Sequence, residues 1–275
     1  MNDGRSVAPL LREAAALVYV ADLEAPQLTD DDAHHLSAVL RLRPGEVVVV
    51  SDGAGSYGGC RVAAAGGDAE LRPAGPSGSH ATAGGAAARS ERRRGRPFAI
   101  GLERDADVIT TARSEPQLTV GFSLAKGDRT DWAVAKLTEL GVDRIVPLVC
   151  ERTAVRSNPQ AAARQHERLR RIAREASMQS RRIWLPEILE VLPLAEAVAR
   201  LGGGVALAEP GGGAPSLDWP TVLVGPEGGF SPSELAMGPP HVRLGETILR
   251  IETAAVAAGT ILTGLRAGLL AEGAS

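Results

Sequence analysis

Residues 118–149 hold one complete strand–helix–strand unit, and that unit limits the fold more than any other feature of the chain. An apolar run at 118–124 is followed by helical periodicity at 131–140, a glycine at 141 and a second apolar run at 144–149. Gly141 stands where a helix ends in the left-handed region, which glycine adopts without a Cβ penalty. Strands joined by a crossover helix pair in parallel, and parallel sheets are covered on both faces. Further short apolar runs at 204–208 and 221–224 fit the same buried sheet. An arginine-rich helix is expected over 159–180 and a last helix over 252–270. Between them, Ser231-Pro232-Ser233-Glu234 combines a capping box with proline at the first helical position, so a helix should start there. Residues 116–275 therefore read as an α/β domain.

The first part of the chain has a different grammar. Short strands are expected at 17–20, 46–50 and 57–63, separated by Pro44-Gly45 and Asp52-Gly53 turns. A last strand belongs near 98–102 or 108–111. This pattern suggests a small β-barrel over 17–115, with a helix at 33–40 entered through Thr29-Asp30-Asp31-Asp32. Residues 1–16 read as a tail. Residues 73–96, rich in Gly, Ala, Ser and Pro and ending in arginines, read as a flexible insertion.

A length of 275 residues suits two such domains, and aromatics at only 3% leave the core to Ala, Val, Leu and Ile. The two cysteines, Cys60 and Cys150, are too few for a disulfide framework or a cysteine-based zinc site. The first twenty residues lack a signal-peptide layout, and 254–271 is mostly Ala, Gly and Thr with Arg266 within it. The expectation is a cytoplasmic protein without a membrane span. Net charge is -3, yet nine arginines against Glu167 and Glu175 lie between 152 and 182. That local excess is what a polyanion-binding face needs, although a solvated helix face would show some of the same pattern.

Four motifs bear on chemistry. Gly53-Ala54-Gly55-Ser56-Tyr57-Gly58 matches a dinucleotide fingerprint, but residues favouring a strand follow it where a helix is required, so a hairpin turn is the better reading. His34 and His35 are adjacent and point about 100° apart on a helix, so they cannot share one metal ion, and none is expected. Gly225-Pro226-Glu227-Gly228-Gly229-Phe230 directly follows an apolar strand and lets a ligand approach the main chain. With no partner lysine or phosphate-loop spacing, it suits a flat, neutral ligand held by backbone groups. In the segment 244–254, Arg250 stands at a helix start, where a cation opposes the helix dipole and so asks for another purpose.

Taken in order, several blocks resemble the 16S ribosomal RNA uracil-N3 methyltransferase family of the SPOUT superfamily. They are His34-His35-Leu36 through Pro44-Gly45, Lys126-Gly127-Asp128-Arg129, Lys136 to Val142, Glu151-Arg152-Thr153, Glu175-Ala176 with Gln179 to Arg182, Leu185-Pro186, Gly225 to Phe230 and Leu244 to Ala254. The resemblance implies a PUA-like β-barrel joined to a SPOUT α/β domain with a trefoil knot, and a homodimer that acts on 16S rRNA in the small ribosomal subunit. It implies an S-adenosylmethionine site formed by Leu207, Ala208, Glu209, Val224, Gly225, Glu227, Gly228, Gly229, Leu244, Gly245, Ile248, Leu249, Arg250 and Thr253. The arginine that often precedes the first strand in the family has no clear counterpart, since only Arg12 is available, well upstream.

Loss of the uracil N3 proton spreads negative charge onto the flanking carbonyl oxygens until the methyl group arrives, and Arg250 would stabilise that charge or orient the phosphate; Glu227 or Glu139 would accept the N3 proton. RNA would be gripped by Arg41, Arg43, Lys126, Arg129, Arg152, Arg156, Gln179, Arg181 and Arg182. The rival readings are a SPOUT methyltransferase acting on another rRNA or tRNA site and a non-catalytic ribosome assembly factor, with a nucleotide-dependent oxidoreductase a distant third.

Overall fold

The computed structural model describes residues 9–64, 100–154 and 159–271. The expected insertion at 73–96 and the candidate Arg156 lie outside the described residues. The chain divides into two compact units, one of residues 1–52 and 57–109 and the other of residues 53–56 and 110–275.

The first unit contains helix α1 (Pro9–Glu13), strand β1 (Ala16–Tyr19), helix α2 (Asp30–His34), a π-helical turn at His35–Val39, then β2 (Val47–Ser51), β3 (Ser56–Ala64), β4 (Ile100–Arg104) and β5 (Ile109–Thr110). The expected tail at 1–16 is not one throughout. Leu11 on α1 and Ala14 just after it are both buried, so this short helix and its exit pack into the core. The helix expected at 33–40 starts earlier, at Asp30, because the Thr29 hydroxyl caps it by accepting from the Asp32 amide. β1 and β2 are parallel, β2–β3 and β3–β4 antiparallel, and β5 also pairs with β3. Both candidate locations for the last strand are strands. The glycine motif at 53–58 turns the β2–β3 hairpin, with φ of 72° at Gly53 and 98° at Gly55, and opens no helix.

The second unit is the expected α/β domain. In chain order it has β6 (Thr119–Ser123), α3 (Arg129–Leu140), β7 (Arg144–Val149), α4 (Pro159–Gln179), β8 (Glu187–Ile188), β9 (Leu192–Pro193), α5 (Leu194–Leu201), β10 (Val205–Gly213), β11 (Thr221–Val224), α6 (Pro232–Leu235), β12 (His241–Val242) and α7 (Ile251–Arg266). All pairings in the sheet are parallel, in the order β12-β10-β11-β6-β7-β8, with β9 also on β7. Gly141 ends α3 at φ 97°, and Ser231 and Glu234 form a complete capping box at α6. The two faces of the sheet bury separate clusters, one with α3, α4 and α7 and the other with α5.

Several elements were not expected: β8, β9 and β12 have two residues each and show no periodicity, and α5 is only eight residues long. The last helix stops at Arg266 instead of 270, where Gly268 at φ 68° turns the chain. A buried polar centre locks the ends of these elements. Asp143 accepts from the Leu118 amide at 2.9 Å and pairs with Arg266, whose guanidinium also reaches the carbonyls of Pro116 and Gly141 at 3.1 and 2.9 Å.

Candidate functional site

Three neighbouring parallel strands, β12, β10 and β11, release their carboxyl ends on the same edge of the sheet, which is where α/β folds place ligands. Residues 208–210 within β10, the end of β11 with its following loop at 224–229, and the loop 244–249 after β12 enclose a cavity of about 320 Å³ with the first turn of α7. That is the lower end of the size range of small-molecule sites. Val224, Ile251 and Ala254 supply apolar wall from the strand and helix, and Leu244, Ile248 and Leu249 from the last loop.

The glycine loop keeps its shape through its own turn and through a brace. Gly229 donates to the Pro226 carbonyl at 2.8 Å and sits at φ 68°. Arg152 donates from Nη1 to the carbonyls of Gly228 and Phe230 at 2.7 and 3.1 Å. The turn carrying Arg152 is itself fastened to α6: the Glu151 amide donates to Glu234 at 2.8 Å, and the Ser233 hydroxyl donates to the Glu151 carboxylate at 2.8 Å. Those hydroxyl bonds, from Ser233 and then Ser231, hold the Glu151 carboxyl below its usual range. Burial, reinforced by the Glu234 carboxylate and opposed by the Thr153 hydroxyl, pushes the neighbouring Cys150 thiol up to about 12. Cys150 is therefore a packing residue and no nucleophile.

On the other side of the loop, Arg129 Nη1 lies 3.1 Å from Glu227 Oε1 and 3.7 Å from Glu252 Oε2, and its Nε donates to the Lys126 carbonyl at 3.1 Å. Only Glu209 and Glu227 among the lining residues carry ionisable side chains. Where the sequence suggested a flat, neutral ligand, the two carboxylates beside apolar walls suit a flat ligand that carries positive charge. The cavity is a poor fit to a nucleotide polyphosphate, which calls for lysine or arginine.

Of the residues expected at the cofactor, Ala208, Glu209, Val224, Gly225, Glu227, Gly228, Gly229, Leu244, Gly245, Ile248 and Leu249 line this cavity. Leu207, Arg250 and Thr253 do not. Leu207 is fully buried with Leu223 and Phe230 on the opposite face of the sheet, as alternation along a strand requires. Thr253 is an exposed residue in the first turn of α7. Arg250 is the N-cap of α7, exposed between two lining residues, and its side chain makes no hydrogen bond or ion pair with any described residue. Pro210, Pro226, Thr247, Ile251 and Ala254 also line the cavity; all but Pro210 lie within segments the sequence had marked, but only the closed geometry singles them out.

The other candidates scatter. Glu139 does not line the cavity; it receives both bonds from Lys136 Nζ at 2.8 Å on α3. Arg182, expected to grip RNA, is a buried strut: its side chain is 12% exposed and donates to the carbonyls of Thr138 and Val142 at 2.8 and 2.9 Å. Arg152 and Arg129 are likewise used within the protein. Lys126, Gln179, Arg41 and Arg43 are exposed, and Arg41 and Arg181 have φ of 56°. Among the described residues no cluster of three His, Cys, Asp or Glu could hold a metal ion, and no helix is long and apolar enough to cross a membrane.

Comparison with known proteins agrees with this geometry. A model of the RNA methyltransferase domain matches residues 113–263, and one of the RNA methyltransferase PUA domain matches residues 28–70. A relative in Mycobacterium bovis named ribosomal RNA small subunit methyltransferase E is 30% identical over 265 residues, covering 89% of each chain. Among solved structures, a ribosomal RNA small subunit methyltransferase E from Neisseria gonorrhoeae bound to S-adenosyl methionine is 27% identical with a TM-score of 0.68, covering 91% of this chain and 97% of the other. A probable rRNA-methyltransferase from Porphyromonas gingivalis is also 27% identical, with a TM-score of 0.65 over 93% of this chain and 100% of the other.

Proposed function

The chain belongs to the ribosomal RNA small subunit methyltransferase E family, with a PUA-like domain followed by a SPOUT-type α/β domain, and we propose on that premise that it methylates N3 of one uridine in 16S rRNA, using S-adenosylmethionine. The observation that carries this reading is the 320 Å³ cavity at the strand ends, with apolar walls, open main chain and only carboxylates as ionisable lining groups. These residues fit S-adenosylmethionine: apolar walls and backbone groups for the adenosyl body, and Glu209 and Glu227 for its positive charge. When bound, the cofactor supplies an electrophilic methyl group.

The protein's own residues would do the rest. Arg250, adjacent to the cavity and unengaged by any described residue, is assigned to the uracil carbonyl oxygens, where charge develops as the N3 proton leaves. Its fixed charge can act on one of those oxygens while N3 stays open to the methyl group. Of the two candidate carboxylates, Glu227 lines the cavity and Glu139 does not; both are ion-paired, Glu227 with Arg129 and Glu139 with Lys136, so position alone leads us to assign the proton to Glu227. The target base must be unstacked to reach this edge of the sheet.

Two further parts of the reading are a homodimer and a trefoil knot through the segments that enclose the cavity. The dimer has a physical motive: Ile248 lines the cavity yet is 91% exposed, so a second chain would cover it. The function is tested with labelled S-adenosylmethionine and separate pools of small subunits, large subunits and tRNA, followed by mapping of the modified base. Label in small-subunit RNA at a single N3-methyluridine is expected; label confined to large subunits or tRNA would overturn the assignment.

A further inference from the structure

A second concavity, about 920 Å³ in volume, lies along α4 and the segment 185–188, well separated in its lining from the cavity of the strand ends. Its wall is arginine: 164, 168, 170, 171 and 174 all line it, against the acids Glu167 and Glu187. On an α-helix these five positions fall within a single arc, because steps of three and four residues return to the same side. The opposite side of α4 carries Leu169 and Ala176, both buried, and Ala173, also buried, touches the concavity from that side. The arginines are therefore a face and not a scatter.

Their internal engagements are unequal. Arg168 is committed to Asp131, with Asp128 at 3.6 Å, and Glu187 is committed to Arg144 at 3.1 Å. Arg170 and Arg171 have only exposed, loose partners on the same helix, Glu167 at 3.6 Å and Glu175 at 3.8 Å, and their side chains are 62% and 72% exposed. Arg164 pairs with no described residue. Such exposed pairs contribute little and are readily exchanged for another anion.

We infer that the outer face of α4, through Arg164, Arg170 and Arg171, is a docking track for the phosphate backbone of structured RNA. The inference rests on the proposed RNA substrate and deepens it, because two arginines expected to grip RNA, Arg152 and Arg182, are used inside the protein. The arginine fork matches phosphate oxygens, and one turn of helix, about 6 Å for four residues, repeats it along the face. An acidic protein is the other polyanion that could sit here. It is disfavoured because none of the exposed large hydrophobic residues falls between 159 and 188, whereas protein interfaces are built around an apolar centre. Contacts of this kind hold and orient the RNA without reading its sequence.

The test is the full chain with Arg164, Arg170 and Arg171 all changed to Gln, which keeps helix propensity while removing the charge. Binding to deproteinised 16S rRNA and to intact small subunits is measured across a salt series. Loss of three phosphate contacts should lower the slope of log affinity against log salt by about two to three, on both substrates, with S-adenosylmethionine binding unchanged. An unchanged slope, or wild-type protein that does not bind 16S rRNA, would overturn the inference. A loss seen with intact subunits and not with bare RNA would assign the face to a protein and overturn it as well. If the triple variant unfolds, R164Q/R171Q is read in the same way, with a slope change of about one and a half. Because binding is read without methylation, a failure of the proposed reaction remains distinguishable from a failure of this surface.

Discussion

Arg129 stands between two carboxylates, with Nη1 3.1 Å from Glu227 Oε1 in the glycine loop and 3.7 Å from Glu252 Oε2 in the first turn of α7. It thereby ties two walls of the cavity to one another. An exposed ion pair contributes at most about 1 kcal/mol, but Glu252 is 13% exposed and Arg129 is its only ion-pair partner among the described residues. Arg129→Ala should weaken S-adenosylmethionine binding by about tenfold, equivalent to about 1.4 kcal/mol. Calorimetry checks this; unchanged affinity would show that the loop holds its shape without the strut.

Arg250→Ala should abolish methyl transfer, while thermal stability and S-adenosylmethionine affinity stay near wild type. The side chain is exposed, outside the cavity lining and unpaired with any described residue, so neither fold nor cofactor depends on it. Single-turnover assays on purified small subunits, beside a cofactor titration, separate the two effects. Near-wild-type turnover would remove Arg250 from the chemistry.

Gly212 meets the backbone of β12 so closely that an added Cβ would lie 2.5 Å from the carbonyl carbon of His241 and the nitrogen of Val242. It lies in the stretch between Ala208 and Gly213 where β10 shifts register against β12. Gly212→Ala must push β12 outward, and the cavity wall 244–249 begins two residues after that strand. A loss of about 1–3 kcal/mol in stability is expected from such overpacking, together with weaker cofactor binding. Urea unfolding and calorimetry check both. A variant with normal stability would mean that β12 yields freely.

The strand–helix–strand unit, the capping box and both cavity loops were legible because each has a local physical signature: periodicity, a polar cap, or glycines beside proline. β8, β9 and β12 carry none, since two residues of strand are defined only by the neighbour they pair with. The site shows the same division. Loop residues such as Gly225 and Leu249 were identified by position, but Leu207 and Ala208 differ only in which face of β10 they occupy. The arginines misled most, because charge marks a candidate for RNA and cannot tell an outward guanidinium such as Arg164 from one turned onto main-chain carbonyls, as in Arg152 and Arg182.

Arg182→Gln follows from that distinction. Its guanidinium satisfies the carbonyls of Thr138 and Val142 at the end of α3 and lies 4.0 Å from the buried Asp143. Its removal should destabilise the fold by about 3 kcal/mol, since buried acceptors lose their donor and a buried carboxylate loses part of its countercharge. RNA affinity per folded molecule should be unchanged at temperatures well below the transition. A large affinity loss with normal stability would return Arg182 to the RNA-binding set.

Cys150 predicts a pH dependence of stability. Its thiol is pushed up to about 12 in the fold, chiefly by burial, from an ordinary value of 9.0. Above pH 9.0 the unfolded chain gives up this proton while the folded chain keeps it, so the folded state binds more protons. Stability must then fall as pH rises from 9.0 towards 12, by at most about 1.4 kcal/mol per pH unit from this group. Below that window the group makes no pH-dependent contribution. Urea unfolding at pH 8 and pH 10 should show a larger loss in wild type than in Cys150→Ala, which lacks the thiol. Equal losses in the two proteins would show that Cys150 ionises with little penalty, contrary to its burial beside Glu234.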